Sequence, residues 1–155
     1  MRRVVFNVHL FTGPQQRALS EAVLRCMLNT LTAANIALLK SKPTLPTVYQ
    51  AGIPYRAEKP RIKGQPIPEE WNDIETCLRQ GWADCEDLAC WLVADLLTGR
   101  DPRFRGRRIP ARTDFSWRPV IGPGGRPLSL YHIFVRLPGG RKEDPSARLG
   151  MPVSA

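Results

Sequence analysis

Cys85, His132 and Asp144 are three side chains whose types, order and surroundings suit acyl transfer. Cys85 lies in Gly81-Trp82-Ala83-Asp84-Cys85-Glu86-Asp87-Leu88-Ala89, at the predicted first turn of an apolar helix. Unpaired backbone N–H groups and the positive end of the helix dipole at such a start favour thiolate over thiol and can meet an oxyanion. His132 lies in Tyr131-His132-Ile133-Phe134-Val135, a predicted strand, and is the candidate base. Asp144, in Glu143-Asp144-Pro145, is the candidate group that fixes the imidazole tautomer. Only one tight turn separates the His132 strand from the Asp144 segment, so neighbouring strands can bring the two together. The backbone N–H of Cys85 is one expected oxyanion donor, and Tyr49 or Gln50 the candidate second.

Each residue taken singly has a plainer explanation. A buried cysteine at a helix start is often inert, and a histidine on a strand is often a satisfied core group. Their joint occurrence with an Asp-Pro step beyond a turn favours a triad. Cys90 lacks the N-terminal field and is the weaker nucleophile. Glu86 and Asp87 stabilise the helix start but oppose thiolate formation if close to sulfur, and both are assigned to structure, Asp87 with a bond to a neighbouring loop. Trp71 and Trp82 are read as packing groups. A metal site from Cys77, Cys85, Cys90 and His132 would need irregular spacing, so neither metal nor organic cofactor is implied.

The elements that must position these groups follow from apolar periodicity. Arg3 to Phe11 alternates as a strand, with Val4, Phe6, Val8 and Leu10 on one side. Pro14 opens a helix to about Lys40 whose apolar stripe includes Cys26 as a packing residue. Pro43 to Pro68 reads as an extended surface segment. Pro68 opens a short helix, Glu69 to Arg79, capped by Gly81, with Cys77 facing inward. The Cys85 helix has Asp84 as its N-cap, runs through Leu97 and is stopped by Gly99 and Pro102. Thr113 to Ile121 and Leu128 to Leu137 form a hairpin, and Glu143 to Met151 returns beside the histidine strand. No internal repeat is evident. The expected architecture is one α+β domain over residues 1–155.

Of the 155 residues, 43% are hydrophobic, enough for one core, while fifteen prolines and twelve glycines indicate long ordered connections. The formal charge is +9. Arg100, Arg103, Arg105, Arg107, Arg108 and Arg112 crowd one segment, of which Arg103, Arg105, Arg107 and Arg108 are candidate partner-binding groups for acidic proteins or polyanions. No nucleic-acid-reading motif accompanies them, and a solvated connection is the plainer reading. Four cysteines without a CxxC pair suggest a reducing, cytoplasmic compartment, and the sequence reads as having no secretory signal or membrane span.

The runs GWADCEDLA, YHIFVRLPGG and EDPSARLGM resemble the transglutaminase-like cysteine protease superfamily in its small bacterial and phage-borne form, over roughly Tyr49 to Met151. The resemblance implies a papain-like core in which the cysteine helix packs on an antiparallel sheet, with Cys85, His132 and Asp144 as the triad. It implies thiol chemistry on amides, by peptidases, amidases or crosslinking acyltransferases, and includes members without activity. Tyr49 stands near the place of the tryptophan that serves the oxyanion in true transglutaminases, which weakens the case for crosslinking. Val48 to Tyr55 and the closing EDPSARLGM resemble stand-alone proteins of tailed phages and prophages. The expectations are therefore a cysteine hydrolase acting on a protein or peptide, a noncatalytic virion or assembly component that docks phage structural proteins or nucleic acid through its basic face, and, third, a glutamine acyltransferase.

Overall fold

The computed structural model describes residues 17–57, 70–121, 125 and 127–152. The expected strand Arg3 to Phe11 and the helix start at Pro14 lie outside the described residues. Among the described residues four α-helices, α1 (Arg17–Ser41), α2 (Ile74–Gln80), α3 (Cys85–Thr98) and α4 (Pro145–Arg148), accompany three strands, β1 (Arg112–Ile121), β2 (Pro127–Arg136) and β3 (Lys142–Glu143). The strands form one antiparallel sheet in the order β1-β2-β3. The fold is α+β.

Helix α3 is the centre. Eleven consecutive residues from Glu86 to Leu96 are buried, because α1 packs on one side and the sheet on another. Leu88, Ala89, Leu92, Val93 and Leu96 join Leu24, Leu28 and Leu39 of α1 and Ile133 and Val135 of β2 in one apolar core. Helix α3 stops at Gly99, whose φ of 74° suits the left-handed cap. A Cβ at Gly99 would lie 2.5 Å from the Gly106 carbonyl oxygen, so the arginine-rich segment passes directly over the helix end.

Two carboxyls inside the core hold flanking segments against α3. Asp95 Oδ2 accepts a hydrogen bond from the Val48 N–H at 2.8 Å, fixing the loop after α1. Arg100 donates to the Pro43 and Leu45 carbonyls of the same loop. Asp87 Oδ1 accepts from the Asn72 N–H at 2.6 Å, and its Oδ2 accepts from the Asn72 amide at 3.2 Å, fixing the approach to α2. This is the loop bond expected for Asp87.

Three expectations are corrected. Helix α2 begins at Ile74 rather than Glu69: Asp73 caps it by accepting from the Thr76 N–H, while the Asn72 N–H is committed to Asp87. Cys26 is exposed, not packed, because the buried line runs through Leu24, Leu28, Thr32, Asn35 and Leu39, and two residues from Leu28 is the far side of a helix. Glu143 to Met151 is not a returning strand: pairing ends at Glu143, and Asp144 caps α4, with Pro145 suited to its first turn. Leu19–Ser41 is long and apolar enough to cross a membrane by length and composition alone, a test that a core helix also passes, and its buried line packs on α3.

Burial pushes the Asp95 carboxyl from 3.8 up to about 7, against the opposing pull of the Val48 N–H and Arg100. The folded protein thus holds this proton more tightly than the unfolded chain, and the associated stability is complete below pH 3.8 and lost as the pH rises to about 7. Thermal unfolding followed between pH 4 and 7 should show the wild type losing stability with rising pH relative to Asp95→Asn. Parallel pH profiles would contradict this.

Candidate active site

Sheet register and a helix cap together place His132 and Asp144. Strand β2 alternates, turning Ile133 and Val135 into the core and His132, Phe134 and Arg136 to the other face. Beyond β3 the chain turns, and Asp144 Oδ1 accepts from the Ala147 N–H at 3.3 Å as the cap of α4. That cap orients the other oxygen, and Asp144 Oδ2 lies 2.7 Å from His132 Nε2. The expected pair is therefore formed. With Nε2 held by the carboxylate, Nδ1 is the ring nitrogen that can take a proton.

Cys85 is the first residue of α3 and is half-buried. Its thiol donates to Glu86 Oε2 at 3.2 Å, so the carboxyl whose proximity to sulfur opposes thiolate formation is in contact with it. Asp84 occupies the N-cap position but makes no side-chain cap bond; its carboxyl is hydrogen-bonded with that of Asp87 instead. Two carboxyls in such a bond share a proton, and burial pushes Asp87 upward accordingly.

Tyr55 is the site residue that sequence reasoning missed. It pairs in parallel with Ala83, two residues before Cys85, through the Arg56 N–H donating to the Ala83 carbonyl at 2.9 Å. Its own N–H donates to the Leu149 carbonyl at 2.8 Å, just beyond α4. The Tyr55 chain is thus strapped both to the approach to the thiol and to the segment after Asp144. Burial, followed by the negative charges of Cys85, Asp84, Glu86 and Asp144, pushes its hydroxyl up to about 12. Tyr55 keeps its proton near neutral pH and lies within electrostatic reach of both Cys85 and Asp144. Pro54 gives a signal for extended backbone, but nothing in the sequence pairs this segment with Ala83.

Tyr49 and Gln50 are committed elsewhere. The Tyr49 hydroxyl donates to Glu143 Oε1 at 2.6 Å, and its ring lies between Arg148 at 4.2 Å and Arg103 at 4.9 Å. Gln50 accepts from the Thr47 hydroxyl at 2.8 Å and closes its own turn. Arg103 also leaves the expected partner-binding set: it is held by Asp101 and donates to Glu143 Oε1 at 2.7 Å. Arg105, Arg107 and Arg108 are exposed, as a binding face requires.

The other thiols divide by environment. Burial and the Asp87 carboxylate hold Cys77 far above the usual thiol range, and burial does the same for Cys90, whose S–H donates to the Leu28 carbonyl at 3.4 Å. Among the described residues no group of three or more His, Cys, Asp or Glu side chains could hold a metal ion.

No protein-family model, curated protein or solved structure matches the chain.

Removing the charge beside the sulfur should free the thiol. Iodoacetamide labelling at pH 7, mapped by mass spectrometry, should modify Cys26 and Cys85 and spare Cys77 and Cys90 in the native protein. Glu86→Gln should speed alkylation of Cys85 by about tenfold, because a carboxylate in hydrogen-bond contact opposes thiolate formation. An unchanged rate would remove Glu86 from the control of this sulfur.

Proposed function

We propose that this protein is a cysteine hydrolase, a peptidase or amidase, with a papain-like arrangement of helix and sheet. The observation that carries the reading is the 2.7 Å contact between His132 Nε2 and Asp144 Oδ2, which orients an imidazole on the sheet that packs against the Cys85 helix. Its support from the sequence is the resemblance of GWADCEDLA, YHIFVRLPGG and EDPSARLGM to transglutaminase-like cysteine proteases.

In the proposed reaction His132 Nδ1 takes the Cys85 proton as sulfur attacks the amide carbon. The carbonyl electrons move onto oxygen, where the N–H groups of the first turn of α3 stabilise them. Collapse breaks the carbon–nitrogen bond, and His132 gives its proton to the leaving amine. Water, deprotonated by the same imidazole, then cleaves the thioester and the proton returns to sulfur. Asp144 balances the imidazolium through its contact with Nε2.

The Glu86 contact favours a second reading. A thiol that donates to a buried carboxylate is held as thiol, as suits a noncatalytic assembly protein that keeps this fold and docks phage structural proteins or nucleic acid through Arg105, Arg107 and Arg108. Acyl transfer to amines ranks third. The proposed location is cytoplasmic, or on the virion under the second reading.

Chloroacetamide labelling separates the first two. Under the hydrolase reading Cys85 labels fastest, and His132→Ala slows it by about tenfold or more. On a quenched peptide library, Cys85→Ala and His132→Ala should each lower kcat/KM by about a thousandfold without changing the unfolding midpoint. Labelling of Cys85 that is indifferent to His132→Ala, with no cleavage, would reject the hydrolase.

A further inference from the structure

The face of the sheet that carries His132 also carries a row of cations. Arg112 of β1 pairs in register with Arg136 of β2, and Arg136 with Lys142 of β3, so three positive side chains lie abreast across three neighbouring strands. Phe134 shows that two of them share a face, its ring lying 5.0 Å from the Arg136 guanidinium and 4.2 Å from the Lys142 ammonium. Like charges directly opposite one another on a sheet repel. Asp114 neutralises part of the row, at 3.3 Å from Arg136, but it also serves Arg25 on α1. Lys142 lies 3.7 Å from Asp144 Oδ2, the oxygen that holds His132. The Arg112 side chain is exposed and makes no hydrogen bond or ion pair among the described residues.

The row borders an open groove of about 640 Å³, lined by Ala111, Arg112, Asp114, Arg136, Leu137 and the Pro138–Gly140 turn. Its floor mixes apolar side chains and turn backbone with guanidinium groups, a lining that accepts a peptide with a carboxylate side chain. The run from His132 to Arg136 is four strand residues, about 14 Å at roughly 3.4 Å per residue, which an extended peptide covers in the same number of steps.

We infer that this groove is a subsite for acidic peptide substrates, in which a Glu or Asp side chain three to five residues from the scissile bond lies across Arg112 and Arg136. The inference rests on the hydrolase reading for its substrate and on sheet register for its site. A carboxylate placed there relieves the repulsion in the row and completes the pairing of Arg112. A peptide is the committed occupant because the row ends at the His132–Asp144 pair, where amide chemistry is proposed.

The test uses the full chain carrying Cys85→Ala, which binds without turning over. Fluorescence anisotropy compares a labelled ten-residue peptide of alternating Glu and Ala, its Gln counterpart and a ten-nucleotide oligothymidylate. The Glu peptide should bind about tenfold tighter than either competitor, and Arg112→Gln should erase that advantage, while Arg79→Gln on the exposed side of α2 should leave it intact. Equal binding of the Glu and Gln peptides, tighter binding of the oligonucleotide, or a Glu preference that survives Arg112→Gln would overturn the subsite. Cleavage by the wild-type protein is read separately. Glu-selective binding without cleavage upholds the groove and overturns the hydrolase, whereas cleavage indifferent to Glu upholds the hydrolase and overturns the groove.

Discussion

A helix surrounded by protein on every side has to satisfy its own polar groups from within, and α3 turns this demand into the scaffold of the whole site. Asp87 and Asp95 could not stay buried without hydrogen-bond donors. They take them from the backbones at Asn72 and Val48, binding to α3 the two segments that flank its ends. Apolar packing sets where the helix lies, and the two carboxyls set which loops lie against it. The location of Cys85 at the helix start is a consequence of both.

Opposing charges meet at that start. The backbone of the first turn favours an anion, whereas Asp84, Glu86 and Asp87 supply buried carboxyls within three residues. The pairing of Asp84 with Asp87 disposes of one charge by sharing a proton, leaving Glu86 as the partner of the thiol. The imidazole side is simpler: one carboxylate, fixed by its own helix cap, fixes one ring. Tyr55, kept neutral first by burial and then by the negative groups around it, joins the two sides through the backbone bonds of its segment to Ala83 and the stretch after α4.

What could be read from sequence was what local rules determine. The apolar run from Leu88 to Leu97 with Gly99 behind it defines a buried helix, and the short turn between β2 and β3 makes the His132–Asp144 encounter a local event. The features that escaped depend on distant partners. Glu143 draws both Tyr49 and Arg103 away from the roles their types suggested, and Asp101 lies two residues from Arg103 without any motif to announce the clamp. Cys26 was misplaced because apolar residues on α1 outnumber the positions that face α3, so the stripe looked wider than the contact. The parallel bridge of Tyr55 to Ala83 spans a proline-rich stretch that has no periodicity to read.

The close passage of the Gly106 carbonyl over Gly99 has its own consequence for how such a surface can vary. Arg105, Arg107 and Arg108 are exposed and can be exchanged one by one, so their share of the charge of this rim is free to drift, whereas Arg100 and Arg103 are tied to the Pro43 and Leu45 carbonyls and to Asp101 and Glu143. The path of the rim's backbone is not free, since even a methyl group at Gly99 would strike the returning chain. Variation here changes what the rim attracts while leaving its course over the helix end unaltered.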